Sequence, residues 1–373
     1  MPKGASNVHG FMAIIHEASK EVICKVVYHG TGKCGKTTSL MYMHHHLPKN
    51  HRGKFVSLET PTERTLFFDL LPVKTEAGGW KFRFLLYATP GQEYYQASRK
   101  LILKGADAIV FVVDSQRERA QDNWDAYELL DKNLKDLGQR VEALPMVVQY
   151  NKRDISGVMP MEDLERRFNP RTLFSYPSVA RTGQGVVEAF LSAARMSMSR
   201  FWTKDSQTGL GELFRTSVFT EDDTLHLKKL MDRLVQESGA NGALLVDEGT
   251  GVISSSGDIS TTDQETLGAL LATNFAAAQE LSAGLGSSGF SGLMQRGALW
   301  LMRAARVDQR RFLVLVCKRS ANRRTIRDSI TYFRGPIGEY LKQVDLLSPS
   351  RLPRFGELFS HSGNIALAGL EKP

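Results

Sequence analysis

Short apolar runs dominate the first half of the chain, and in the second half such runs alternate with amphipathic stripes at helical spacing. The segments Val22-Ile23-Cys24-Lys25-Val26-Val27-Tyr28 and Phe82-Arg83-Phe84-Leu85-Leu86-Tyr87-Ala88 have the length and the β-branched or aromatic content of buried strands. Pro145-Met146-Val147-Val148-Gln149-Tyr150 reads the same way, and Leu173-Phe174-Ser175-Tyr176 reads as a shorter strand. Past residue 202 the composition shifts to Thr203-Lys204-Asp205-Ser206-Gln207-Thr208-Gly209-Leu210-Gly211, which is expected to open a linker spanning 204–223. Leu227, Leu230, Met231 and Leu234 then mark one amphipathic helix, and strands over 242–247 and 251–255 turn at Glu248-Gly249-Thr250. A second helix carries the stripe Leu267, Leu270, Leu271, Asn274, Phe275, Ala278 and Leu281. Strands near 290–295, 299–304 and 312–317 and a helix over 322–343 complete the series. The order α-β-β-α-β-β-β-α is that of an α+β domain, expected over 224–345 with a flexible tail at 346–373.

What lies between the first strands carries the chemistry. Gly30-Thr31-Gly32-Lys33-Cys34-Gly35-Lys36-Thr37 is a complete G-x-x-x-x-G-K-T run directly after a strand. In that setting the glycines allow successive N–H groups to form an anion-binding nest at a helix start, with Lys36 for the β- and γ-phosphates and Thr37 for Mg²⁺. Gly30, Gly32, Lys33, Cys34, Gly35 and Thr38 complete the cradle of a nucleoside triphosphate. The tetrad Asn151-Lys152-Arg153-Asp154 ends the strand at Tyr150 and suits guanine. The Asp154 carboxylate can accept from the ring N1–H and the exocyclic amine, a pairing that adenine does not offer. Lys152 is expected to lie along the base, Asn151 to tie this loop to the phosphate loop, and Ala180 in Ser178-Val179-Ala180-Arg181 to donate its N–H to the guanine O6, with Arg181 beside it.

Thr89-Pro90-Gly91-Gln92-Glu93 follows the strand at Ala88 and reads as the γ-phosphate sensor, Gly91 approaching with its N–H and Gln92 orienting the attacking water. Ala88 stands where a small GTPase normally has the aspartate that holds Mg²⁺ through a water, and Pro90 has no N–H and keeps Thr89 extended. Asp69 is a candidate to help hold Mg²⁺ in the absence of an aspartate at 88, although a carboxylate on an edge strand is more often paired or solvated.

These residues, with 63–72 and 97–105, resemble the MglA-like bacterial small Ras-type GTPases of cell polarity and gliding motility, over roughly residues 12–202. The resemblance implies an α/β fold over 21–203, a doubly wound, mostly parallel sheet after an N-terminal extension at 1–20. It also implies that Ala88 is ordinary for the family, that Thr65 closes on Mg²⁺ and the γ-phosphate, and that Arg64 is an arginine finger supplied within the chain. Bound GTP or GDP with Mg²⁺ held by Thr37 and Thr65 follows, with Gln92, Arg64 and Lys36 as the catalytic set. Gly242-Ala243-Leu244-Leu245-Val246-Asp247-Glu248-Gly249-Thr250-Gly251 and the element order after it look like a Roadblock-type domain, a five-stranded antiparallel sheet with helices. That implies homodimerisation through the helix between its second and third strands and through edge strands, and action on GTPase switch regions. The 267–281 stripe fits either such a dimer face or packing on its own sheet.

With 373 residues, 42% of them hydrophobic and 24% charged, the chain can bury two ordinary cores. No apolar stretch has the length of a membrane span and no leader pattern opens the chain, so a cytoplasmic protein is expected. Cys24, Cys34 and Cys317 have no metal-ligand spacing, and the run His44-His45-His46 points its side chains in different directions around a helix. The net charge of +8 is concentrated in residues 1–203, which hold 28 Lys and Arg against 21 Asp and Glu. An anionic lipid surface or an acidic partner would be drawn there, while solvated side chains and those facing phosphates account for much of it. No aromatic-and-basic motif of a nucleic-acid module is present, so no nucleic acid is expected. Two functional readings stand: a GTP-hydrolysing switch regulated by its fused domain, signalling to polarity or motility effectors, and a scaffold that binds GTP or GDP with little turnover. In a third, the nucleotide is purely structural in an assembling platform.

Overall fold

The computed structural model describes residues 14–57, 68–77, 79–90, 96–199, 217–249, 251–259, 264–286 and 290–351. Contacts divide the chain into a unit built on 22–215 and a second built on 14–21 together with 216–352. Strand β1 (Ile14–His16) therefore belongs with the second unit.

The first unit runs β2 (Glu21–His29), α1 (Lys36–His46), β3 (Val56–Ser57), β4 (Asp69–Ala77), β5 (Trp80–Ala88), α2 (Gln96–Leu103), β6 (Ala108–Asp114), α3 (Ala120–Asp136), β7 (Met146–Asn151), α4 (Met161–Phe168), β8 (Ser175–Pro177) and α5 (Val186–Ser199). Its strands lie in the order β3-β4-β5-β2-β6-β7-β8. The β2–β6, β6–β7 and β7–β8 pairs are parallel, and β3–β4 and β4–β5 are antiparallel, so the sheet is mixed. Every residue of β6 and β7 is buried, as expected for central strands covered on both faces. Leu130 and Leu134 of α3 and Ala189, Phe190 and Ala193 of α5 supply part of that cover. In register, Asp114 at the end of β6 pairs with Asn151 at the end of β7, and His29 ends β2 beside them. Three strand ends thus converge at one edge, where ligands of open α/β sheets bind.

The second unit contains β9 (Ser217–Phe219), α6 (Glu221–Ser238), β10 (Gly242–Asp247), β11 (Gly251–Gly257), α7 (Gln264–Gly284), β12 (Gly292–Arg296), β13 (Trp300–Arg306), β14 (Arg311–Lys318) and α8 (Arg323–Arg351). An antiparallel sheet in the order β11-β10-β14-β13-β12 has helices on both faces. Strand alternation makes the division: Ala243 and Leu245 face Leu227, Met231, Ile330 and Phe333 of α6 and α8, while Leu244 and Val246 face Leu271 and Phe275 of α7. Leu267, Leu271 and Phe275 of the α7 stripe pack on their own sheet, with Phe275 stacked on Phe312 at 4.7 Å, while Leu270, Asn274 and Ala278 are half-buried and Leu281 is 61% exposed. Thr220 and Asp223 cap α6 reciprocally.

Three stretches differ from expectation. Residues 14–16, expected inside an N-terminal extension, form β1 in parallel register with β9, with Ile14 opposite Ser217 and fully buried in the second unit's core. The expected linker 204–223 already holds β9 and the start of α6. The expected tail at 346–373 begins as helix, because α8 continues to Arg351 and its buried Ser348 accepts from the Val218 N–H at 2.8 Å.

Candidate functional site

The phosphate loop joins β2 to α1. Gly35 sits just before α1 with φ 107, a left-handed geometry, and a Cβ there would lie 2.0 Å from the Asn151 side-chain nitrogen. Gly30 is as constrained, since a Cβ would meet the Val112 carbonyl oxygen at 2.2 Å. Lys33 also has positive φ, the alternation that turns neighbouring N–H groups toward one side and makes a nest. Lys36 is buried, and its ammonium donates to the carbonyls of Gly30 at 2.8 Å and Thr31 at 2.7 Å. The cation is thus held over the loop by weak acceptors that phosphate oxygens can replace.

Thr37, next on α1, donates its hydroxyl to the Asp69 carboxylate, whose other oxygen accepts from Ser57 at 2.7 Å. Asp69 lies directly across from Ala88 in the β4–β5 register. The described carboxylate next to Thr37 therefore comes from β4, the strand beside β5. A hydroxyl and a carboxylate side by side are the hard oxygen donors that Mg²⁺ takes, so these residues fit the ion.

The base loop is braced to the phosphate loop by Asn151. Its side-chain N–H donates to the Cys34 carbonyl at 2.7 Å, and its Oδ1 accepts from the Ala180 N–H at 2.8 Å. Asn151 thus ties the loops as expected. The Ala180 N–H, expected to face the guanine O6, is the donor to Asn151 Oδ1. Lys152 has φ 66, and its ammonium lies 2.6 Å from Asp114, so it is held by a buried carboxylate. Asp154 and Arg181 are exposed at the loop surface.

The Ras-family profile matches residues 25–199. Mutual gliding-motility protein MglA of Myxococcus xanthus (strain DK1622) is 45% identical over 189 residues, which cover 50% of this chain and 97% of that protein. The chain belongs to the MglA family of Ras-type GTPases. A Roadblock/LC7 profile matches residues 227–315, so the MglA-type unit is joined to a Roadblock domain. Among solved structures, Myxococcus xanthus MglB shares 24% identity and covers 33% of this chain and 93% of its own, with a TM-score of 0.32. The gliding protein MglB from Thermus thermophilus shares 21%, covering 32% and 91%, with a TM-score of 0.30.

Around this MglA-type site, the start of the sensor loop is anchored. Thr89 donates its N–H to the Tyr28 carbonyl at 2.9 Å, and its hydroxyl lies 3.2 Å from Nδ1 of His29. The other His29 nitrogen, Nε2, faces the Ala126 carbonyl at 3.1 Å, an acceptor, so Nε2 carries the proton. Burial first, then the positive charges of Lys36 and Arg99, push the His29 pKa down to about 3. Arg99 of α2 donates to the Pro90 carbonyl at 2.8 Å. Arg64, Thr65, Gly91 and Gln92 lie outside the described residues.

Sequence reasoning missed two residues. Arg119, at the start of α3, donates to the Gly32 carbonyl at 2.9 Å and the Thr31 hydroxyl at 3.2 Å, and Asp114 receives Lys152. Nothing in the run Asp114-Ser115-Gln116-Arg117-Glu118-Arg119 separates these side chains from solvated loop charges until the strand ends are brought together.

Proposed function

We propose that the chain is a molecular switch that binds Mg²⁺-GTP and hydrolyses it to GDP and phosphate, its Roadblock domain pairing with a second copy and regulating turnover, in polarity or motility signalling. The carrying observation is the assembled cradle: Lys36 poised over the phosphate loop, Thr37 joined to Asp69, and Asn151 linking the loop to the guanine tetrad. Water oriented by Gln92 adds to the γ-phosphorus, the bond to the β–γ bridging oxygen breaks, and GDP leaves. Lys36, Arg64 and the loop N–H groups stabilise the charge on the transferred group. When bound, Mg²⁺ supplies charge neutralisation at the β- and γ-phosphates, with Thr37 and Thr65 to hold it and Asp69 to orient Thr37. Pairing of the Roadblock domain is supported by its exposed edge strand β12, where Met294 is 43% exposed, and by Trp300 at 47% on the adjoining β13.

The test is phosphate release from Mg²⁺-GTP by the full chain, beside Arg64→Ala and Gln92→Leu, with ATP as the specificity control. Turnover of GTP alone that falls at least tenfold in both variants is the expected result. A second reading, a GTP- or GDP-dependent scaffold with little turnover, is favoured by Ala88 and Pro90 in the hydrolytic loop. Tight GTP binding without release in any of the three proteins would favour it, or an activator supplied by another chain.

A further inference from the structure

Asp114 closes β6 with its side chain fully buried and its main chain clamped on both sides by Asn123, which accepts from the Asp114 N–H at 3.0 Å and donates to its carbonyl at 2.8 Å. One carboxylate oxygen accepts from the Gln116 main chain and side chain, at 3.2 and 3.0 Å. The other faces two cations: the Lys152 ammonium at 2.6 Å and the Arg119 guanidinium at 4.0 Å. A buried carboxylate is stable only when compensated in this way. Each cation belongs to a different part of the nucleotide site.

Lys152 is the second residue of the guanine tetrad, its backbone is left-handed, unusual for a lysine, and its ammonium is anchored on Asp114. Arg119 reaches the phosphate loop, where one guanidinium nitrogen spans the Gly32 carbonyl and the Thr31 hydroxyl. In a trans peptide, a Gly32 carbonyl turned toward Arg119 turns the N–H of Lys33 the opposite way. The hydrogen bond thus fixes the orientation of a nest peptide. Asp122 pairs with another guanidinium nitrogen.

We propose that Asp114 and Arg119 are positioning residues that lock the base loop and the phosphate loop into one unit and so set both nucleotide residence and guanine selectivity. Arg119 acts on the phosphate half and Asp114 on both. The inference rests on the guanine-nucleotide reading above. It assigns the two residues different effects: loss of Arg119 releases every nucleotide faster without changing base preference, whereas loss of the Asp114 charge also lets Lys152, and with it Asp154 two residues on, shift against the base.

The experiment measures dissociation rates and affinities of GDP and inosine diphosphate, which lacks the exocyclic amine, on the full chain. Arg119→Ala is expected to speed release of both by about tenfold or more, the usual consequence of losing a charged hydrogen-bonding group, with the GDP-to-inosine-diphosphate affinity ratio kept within about twofold. Arg119→Lys is expected to behave like Arg119→Ala, because an ammonium does not reproduce the planar fork that reaches Gly32, Thr31 and Asp114 at once. Asp114→Asn is expected to narrow the ratio several-fold, an effect that lower stability alone does not produce. Release by Arg119→Ala within twofold of the unmodified chain, or a folded Asp114→Asn with an unchanged ratio, overturns the proposal. If circular dichroism finds Asp114→Asn unfolded, Arg119→Ala decides, since its side chain is 32% exposed and outside the core. An unmodified chain that binds neither diphosphate overturns the guanine-nucleotide reading along with this one, whereas binding that the variants leave untouched overturns only this one.

Discussion

His29 is buried and neutral at the end of β2, with its pKa moved from 6.5 to about 3, and that displacement makes the stability of the nucleotide-binding unit fall as the solution is acidified. In the unfolded chain the imidazole takes up a proton near pH 6.5, while in the folded chain it stays neutral until about pH 3. The unfolded state therefore binds more protons throughout that window, and stability is lost as pH falls through it and is constant above it. At pH 5 the unfolded histidine is about 1.5 units below its own pKa, which is worth about 2 kcal/mol. His29→Gln keeps a donor for the Ala126 carbonyl but does not titrate, so its stability carries no such contribution. Carboxylates shared by the two proteins cancel in the comparison. The assay is urea unfolding at pH 7.5 and pH 5, followed at the transition whose midpoint rises with GDP concentration, which singles out the nucleotide-binding unit. The unmodified chain is expected to lose about 2 kcal/mol more than His29→Gln between the two pH values. Parallel losses, within about 0.5 kcal/mol, would refute the assignment of a neutral, buried imidazole at this position.

Three further outcomes follow from the geometry. Gly35→Ala sets a Cβ 2.0 Å from the Asn151 side-chain nitrogen at a left-handed position, and GDP affinity is expected to fall by about 100-fold in an isothermal titration. Asp69→Ala removes the group that orients Thr37, and the Mg²⁺ concentration that halves GDP release is expected to rise by roughly 10- to 100-fold in a metal titration with a fluorescent nucleotide. Ile14→Ala empties a fully buried site in the Roadblock core and should lower its stability by about 2–5 kcal/mol, read by calorimetry at the GDP-independent transition; an unmoved transition would mean that β1 is not part of that core.

The phosphate loop and the guanine tetrad were legible because each is a contiguous run whose chemistry depends on spacing alone. Asn151 could be assigned its bracing role for the same reason. The Roadblock order was legible because its core is built from alternation, as in Ala243 and Leu245 against Leu244 and Val246, and from helical stripes. Where contacts are long-range, the sequence was silent. Arg119 reads as one charge among several until β6 brings it to Gly32, 87 positions away. Ala180 was read from its motif as a base donor, and its tie to the Asn151 side chain, 29 positions earlier in the chain, was not legible. α8 outran its expected end at 343 because Val344 is buried in the second unit's core and the buried Ser348 accepts from the Val218 N–H, a partner 130 positions earlier in the chain.

The pairing of β1 with β9 changes how the chain has to be dissected. Three-residue strands carry almost no periodic signal, and these two are separated in sequence by the whole nucleotide-binding unit, so the chain reads as two domains in tandem. In the fold, residues 22–215 leave the Roadblock unit after β1 and return to it at β9, strands in parallel register from Ile14–Ser217 to His16–Phe219. The nucleotide-binding unit is an insertion held at both ends. A fragment that stops at residue 203 discards β9 and strips Ile14 and His16 of their partners, while one that starts after residue 20 removes β1 from the Roadblock core. Neither truncation isolates regulation from folding. Substitutions that leave both strands in place, such as Arg64→Ala in one unit and Met294→Lys on the exposed edge of the other, separate turnover from assembly where deletions confound them.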